Sequence, residues 1–313
     1  MLRFSSRWFW ALLLTLLALL PLAGACDDDE AATTPTPSPA RGSGFPVTVT
    51  DSAGSRVTFE RAPQRIVVLS PGHVEMLFAI GAGGSVVAVD DNSDYPPEAA
   101  RLPKLSGFQP NLEAIAAARP DLVVIFYDPG DLKISLQRLN IPVLLMGTPD
   151  SVKGMLDQMD LLGQVAGRSR EASQLRGRLQ ARIETITQKL RDVQSGPRIF
   201  HELDPTLFTT CPGEFIHDMY VTLKAQNIAS RAGVPCQLSQ EEIIQANPQV
   251  IVLADEPAGV TPDSVKARAG WGSIEAVRKN AVHVVDADIF SRPGPRLIDA
   301  LEQLAKLLYP GRF

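Results

Sequence analysis

Four histidines and three cysteines are the side chains of this 313-residue chain best suited to bind a metal or attack a carbon centre. Their spacing supports neither use. His73, His201, His217 and His283 are far apart, whereas zinc motifs place their ligands a few residues from one another. Cys26, Cys211 and Cys236 are too few for a disulfide scaffold and too scattered for a zinc ribbon. There is no G-x-S-x-G elbow, no Walker loop and no H-E-x-x-H. Gly81-Ala82-Gly83 starts like a dinucleotide fingerprint, but Val86 stands at its last glycine position. No pair of carboxylates forms an obvious acid/base couple. No catalytic residue, metal site or cofactor is therefore assigned, and the chain is not read as an enzyme. His73 follows Pro71-Gly72 at the end of an apolar run. It either faces a cleft or serves a helix start or the core. His217 and His283 read as structural. A net charge of −5 and 6% aromatics argue against a nucleic-acid surface.

The N-terminus reads as an address. Arg3 and Arg7 precede an apolar run from Trp8 to Leu22, with no acid before Asp27. This is a secretory n-region and h-region, too short for a comfortable membrane span. It closes on Leu22-Ala23-Gly24-Ala25-Cys26, which resembles a bacterial lipobox with Ala23 where Leu is usual. That resemblance implies cleavage before Cys26 and lipidation of its sulfur. Residues 1–26 are thus expected to be a lipoprotein signal peptide, and 27–44 a disordered tether rich in Thr, Pro, Ser and Gly. Cleavage lowers the basic count from 30 to 28 against 35 acids, a net charge of −7. The expected location is extracytoplasmic, anchored to the cell membrane by lipid.

Beyond the tether the pattern is α/β. A hairpin is expected over 45–59, turning at Asp51-Ser52-Ala53-Gly54. Continuous apolar strands are expected at 65–69, 86–89, 122–127, 143–146, 198–203, 250–253 and 282–285, with helices between them. Strands buried on both faces and alternating with helices mean parallel sheets. From Ser151 to Val193 there is no Pro, and apolar residues recur at helical spacing. This predicts two helices broken near residue 167, the second of about 25 residues or roughly 40 Å. The halves also match each other. Leu112-Glu113-Ala114-Ile115, Ala118, Pro120 and Leu122-Val123-Val124 pair with Gln240-Glu241-Glu242-Ile243, Ala246, Pro248 and Val250-Ile251-Val252 at a constant offset of 128 residues. The expected fold class is two parallel-sheet lobes, 45–166 and 195–313, joined by one long helix over 168–194, with a ligand cleft between them.

Several segments carry a family resemblance. In the first half these are Ser70-Pro71, Glu75, Gly81-Ala82-Gly83, Asp94-Tyr95-Pro96-Pro97-Glu98, Asn111-Leu112-Glu113 and Pro120-Asp121-Leu122-Val123. In the second they are Asp204-Pro205, Pro212-Gly213, Asn227-Ile228, Ser239-Gln240-Glu241 and Ser291-Arg292-Pro293-Gly294-Pro295-Arg296. Together they resemble the periplasmic substrate-binding proteins of iron-siderophore, haem and cobalamin ABC importers, and the Asp94–Glu98 segment is nearest the cobalamin-type branch. The resemblance runs from about residue 45 to 310. It implies that the long helix joining the two parallel-sheet lobes is rigid, and that the protein is a monomer with little lobe closure, serving a permease dimer and its cytoplasmic ATPase.

Cleft positions follow from the same resemblance: Asn92, Gly107, Phe126 and Cys236 stand where cobalamin receptors carry Trp and Tyr. The remaining cleft candidates are Tyr95, Phe108, Tyr127 and Phe290, with Asp288 matching a cleft acid. Trp271 is the only Trp beyond residue 26. Arg292 either meets an anionic chelate or makes a local salt bridge. The ligand is a cobalt corrinoid by preference, with cobinamide, haem and ferric siderophore open. Cys211 and Cys236 either form a disulfide or stay free thiols. Glu113 and Glu241 fall in the first turns of matching helices, where a carboxylate favours the helix dipole; the resemblance makes them the permease-docking pair. A cleft enzyme or metal-cluster protein on a similar scaffold is the alternative of another class, and it would need His, Cys or carboxylates converging in the cleft.

Overall fold

The computed structural model describes residues 44–230 and 236–313. Cys26, the expected leader and all of the expected tether except Gly44 lie outside the described residues. The first elements, β1 (Val47–Thr50) and β2 (Arg56–Phe59), pair as an antiparallel hairpin. Asp51 shapes its turn, accepting from the backbone N–H groups of Ala53 and Ser55 at 3.0 and 2.8 Å. Its buried carboxylate also meets Lys133 at 2.5 Å.

The first lobe runs β3 (Ile66–Leu69), α1 (Pro71–Ala79), β4 (Val86–Asp90), α2 (Pro97–Ala100), β5 (Lys104–Leu105), α3 (Leu112–Ala117), β6 (Leu122–Ile125), α4 (Leu132–Arg138) and β7 (Val143–Leu145). Its five strands are parallel in the order β5-β4-β3-β6-β7. Every residue of β3 and β6 is buried, as expected of Ile, Val and Leu runs covered on both faces. Pro71 sits in the first turn of α1, where its fixed φ is pre-organised and its missing N–H costs nothing.

Next come α5 (Val152–Val165) and α6 (Ser169–Lys189). Gly167 separates them at φ 66°, a left-handed conformation that glycine adopts without strain. The long helix has 21 residues, roughly 31 Å, shorter than the periodicity suggested. Its buried residues Ala172, Leu179 and Ile186 recur every seventh position and form one stripe. Arg176 ties it to Asp157 and Asp160 of α5, at 2.9 and 2.7 Å.

The second lobe holds β8 (Arg198–Glu202), α7 (Phe215–Thr222), β9 (Gln226–Asn227), α8 (Gln240–Ala246), β10 (Val250–Leu253), α9 (Pro262–Lys266), α10 (Glu275–Arg278), β11 (Val282–Val284), α11 (Ala287–Ser291) and α12 (Leu297–Leu308). Its strands are parallel in the order β11-β10-β8-β9. From α6, Arg182 reaches Asp299 and Glu302 of α12 at 2.6 and 2.8 Å. One apolar core runs through both lobes, from Ile66 and Val68 through Met159 and Leu179 to Tyr220, Leu301 and Leu304.

The internal match is structural. Asn111 and Ser239, the equivalent residues, cap α3 and α8 by accepting from Ala114 N–H and Glu242 N–H at 3.0 and 3.2 Å. Arg119 and Asn247 end the two helices at φ 48° and 47°. Arg65 donates to the carbonyls of Ala118 and Arg119, and Arg198 to those of Ala246 and Asn247. In each lobe a guanidinium thus meets the negative end of the helix whose first turn carries Glu113 or Glu241.

Candidate functional site

Open α/β sheets place ligands outside the carboxyl ends of their strands. Here a cavity of about 330 Å³ lies at that edge of the first lobe. The residues leaving β3 (Ser70 to His73), β4 (Asp90, Asn92) and β6 (Phe126) line it, with Thr148 and Pro149 after β7. The second lobe contributes Asp288, Ser291, Arg292 and Pro293 from α11 and its exit. The lobes meet tightly beside it: a Cβ on Gly72 would fall 2.8 Å from the Pro293 carbonyl oxygen, so only glycine fits there.

One wall is aromatic. The rings of Phe108 and Phe126 meet edge to face, centroids 5.7 Å apart. Phe108 is 63% exposed. Tyr127 packs on Phe126 at 4.6 Å, and its hydroxyl donates to the Phe108 carbonyl. It supports the wall without lining the cavity.

The opposite wall is charged. Arg292 pairs with Asp94 at 2.5 Å and Asp288 at 2.6 Å. The Asp94 carboxyl is held below its usual range, chiefly by its hydrogen bond with Arg292. Of the two sequence readings of Arg292, the local salt bridge is the one the geometry presents. The pair with Asp94 is also a bridge between lobes.

The floor holds His73 and Asp90, both buried. Gln158 fixes the imidazole. Its amide nitrogen donates to the Gly147 carbonyl at 2.6 Å, so its oxygen accepts from His73 Nε2–H at 3.0 Å. Nδ1 then carries the lone pair, and no partner reaches it. Burial pushes the His73 pKa down to about 4, so the ring is neutral at pH 7. Asp90 accepts from Asn92 N–H at 2.9 Å and from the Ser93 hydroxyl, while burial pushes its pKa up.

Of the residues singled out from sequence, Asn92, Gly107, Phe108, Phe126, Asp288 and Arg292 line this cavity. Four others do not; Tyr127 backs the aromatic wall, and the remaining three lie elsewhere. Tyr95 lies under the Arg296 guanidinium, 3.9 Å from ring centroid to cation, and borders separate surface depressions. Phe290 is wholly buried and packs beside His201, centroids 6.2 Å apart, because the one-turn helix α11 turns it into the core. Cys236 is bonded to Cys211, with Cα atoms 5.8 Å apart, so it has no thiol to offer a ligand. Asp90 and the Thr148-Pro149 turn, which line the cavity, were missed as site residues, as was Asp94, which meets it through its pair with Arg292. The strand end at Asp90 was the available signal.

Glu113 and Glu241 are exposed in the first turns of α3 and α8, and among the described residues neither has an ion-pair partner. Glu242, not Glu241, completes the capping box with Ser239. A second acidic cluster lies in the other lobe. Glu202 is gripped by Arg268 at 2.5 and 2.7 Å, and burial and the neighbouring Glu202 push Asp255 up to about 7. Neither carboxylate lines the cavity. Among the described residues no His, Cys, Asp and Glu group could hold a metal ion, and no helix is long and apolar enough to cross a membrane.

A family described as periplasmic binding protein matches residues 66–289. The ABC transporter substrate-binding lipoprotein YvrC of Bacillus subtilis, itself described as uncharacterized, is 31% identical over 277 residues, 86% of this chain and 87% of that protein. The vitamin B12-binding protein of Pectobacterium carotovorum is 32% identical over 258 residues, 79% of this chain and 88% of its own length. Among solved structures, the periplasmic vitamin B12-binding protein BtuF of Vibrio cholerae superposes with a TM-score of 0.70 at 25% identity, over 79% of this chain and 97% of that one.

Proposed function

This chain belongs to the periplasmic binding protein family, and on that premise we propose that it is the extracytoplasmic receptor of an ABC importer, anchored by lipid at Cys26, that delivers a metal chelate, a corrinoid by preference, to a dimeric permease with its cytoplasmic ATPase. The relatives are transport proteins, not enzymes. The observation that carries the reading is the cavity itself. It lies between the strand ends of one lobe and α11 of the other, with an exposed aromatic wall. At about 330 Å³ it is at the lower end of ligand sites, which span roughly 300–1,000 Å³. A macrocycle enters it by one edge and lays the remainder against Phe108.

In this reading the lobes over 45–166 and 195–313 each present one docking carboxylate, Glu113 and Glu241, at the start of matching helices. A permease of two like subunits offers one basic pocket to each. The shared core and the two-sided ion pairs of α6 favour a receptor that binds with little closure. Calorimetric titration with cyanocobalamin, cyanocobinamide, hemin and a ferric siderophore tests the reading. One-to-one binding of a corrinoid is expected. If none of the four binds, the receptor role is wrong.

A further inference from the structure

The charge arrangement of the cleft bears on which chelate it takes, given the receptor role proposed above. Arg292 is the only cation among the described residues that line the cavity, and its side chain is 10% exposed. Its two terminal nitrogens are already engaged, Nη1 by Asp94 and Nη2 by Asp288. The side chains of those aspartates are 60% and 52% exposed. Each keeps one carboxylate oxygen with no described side-chain donor on it. Asp288 lines the cavity itself, Asp94 meets it through Arg292, and Asp90 adds a carboxyl on the floor. Two cations close enough to act on Asp90 and Asp94 are committed as well. Lys104 donates to the Ser93 carbonyl, and Arg296 grips Glu75 with two hydrogen bonds. His73 is neutral at pH 7.

We infer that this cleft selects a planar chelate whose peripheral arms are amides or cations, and rejects one whose arms are carboxylates or other anions. Carboxylate oxygens accept N–H groups and repel negative charge. An anionic arm that approaches Arg292 comes in beside the carboxylates of Asp94 and Asp288, which already hold one contact on each terminal nitrogen. Like charges brought together in this way are strongly disfavoured. The aromatic wall formed by Phe108 and Phe126 accepts either kind of ring, so the discrimination rests on the wall opposite.

The test holds the ring constant and changes the arms. The mature protein is titrated by calorimetry at pH 7.5 with cyanocobinamide, which carries amide arms, and with the corresponding corrinoid whose arms are free carboxylic acids. Hemin, with two propionates, and a ferric tricatecholate are added as unrelated anions. The acid form should bind at least about tenfold more weakly than the amide form, and added salt should narrow the gap. The Asp94→Asn/Asp288→Asn variant frees Arg292 and should close most of the gap. Its fold is checked by circular dichroism before titration, because it leaves Arg292, 10% exposed, without its two carboxylate partners; the single Asp288→Asn variant, which keeps the Asp94 pair, should narrow the gap in the same direction. Equal affinity for the two corrinoids, tighter binding of the acid form, or a gap untouched by the double substitution overturns the inference. Binding of hemin or the tricatecholate without any corrinoid also overturns it, while leaving the receptor role standing. Failure of all four ligands overturns both.

Discussion

Removing Arg296 should destabilise the protein far more than neutralising its partner. Glu75, on α1, is 3% exposed and accepts from Arg296 Nε and Nη2 at 3.0 and 2.6 Å. The Tyr95 ring covers the guanidinium at 3.9 Å. Gly294 leaves no spare room, since a Cβ there would lie 3.0 Å from a Glu75 carboxylate oxygen. Burial already pushes the Glu75 pKa above 4.5, and Arg296 is the main force opposing that rise. The change Arg296→Met keeps the apolar stem and deletes the fork. Breaking a buried pair from one side costs about 3–5 kcal/mol, because the remaining charge is stranded. The lost cation–π contact is worth about 0.5–1 kcal/mol. The Arg296 side chain is 18% exposed, so the lower end applies, about 3 kcal/mol in all. At about 2–4 °C per kcal/mol for a chain of this size, Tm should fall by roughly 6–12 °C.

The pH dependence follows from the sign of the shift. In the variant the folded-state pKa of Glu75 rises further above its unfolded value, so the folded state holds that proton more tightly. The relative stability this confers is present at acid pH and is lost as pH rises through the folded pKa. Urea unfolding at pH 5 and pH 8 should therefore show the larger loss at pH 8. Adding Glu75→Gln should restore much of the stability, since a neutral amide carries no stranded charge. A loss under about 1 kcal/mol at pH 8, an equal loss at pH 5, or a double variant no better than the single one would refute the reasoning.

The disulfide closes a loop of 25 residues, so Cys211→Ala/Cys236→Ala should lower the unfolding free energy by about 3 kcal/mol, measured by urea unfolding against the oxidised parent. The exposed carboxylates give a functional prediction: Glu113→Arg or Glu241→Arg should abolish uptake and complex formation with the permease while ligand affinity stays unchanged. Normal transport by either variant, or a parallel fall in ligand binding, returns both residues to the helix-dipole role. For the anchor, mass spectrometry of the membrane fraction should find a diacylglyceryl group on Cys26, and Cys26→Ser should release the protein or leave it unprocessed. A wholly soluble wild type with an unmodified N-terminus excludes lipidation.

Local sequence pattern was enough for the elements that make the two sheets. The Val250–Leu253 strand and the Gln240–Ala246 helix stand where apolar runs and helical spacing put them. So does the break at Gly167. These are short-range properties: a buried strand must be apolar at every position, and a chain reversal needs a residue tolerant of positive φ. The 128-residue repeat was legible for the same reason, since N-caps, loop prolines and strand starts recur in one register. The two-residue strands Lys104–Leu105 and Gln226–Asn227 were not, because pairing with a neighbour creates them and no local preference marks them. The long helix stops at Lys189 rather than near 194, an end set by the turn that follows. At the site, residue types on one strand end could be placed, and Asn92, Phe108, Phe126, Asp288 and Arg292 do meet around one cavity. Tyr95, Phe290 and Cys236 were drawn elsewhere by Arg296, His201 and Cys211. The Arg292–Asp94 and Arg296–Glu75 pairs join residues 198 and 221 positions apart. No window of sequence contains both partners, so only packing one lobe against the other decides which charges are spent on each other and which face the ligand.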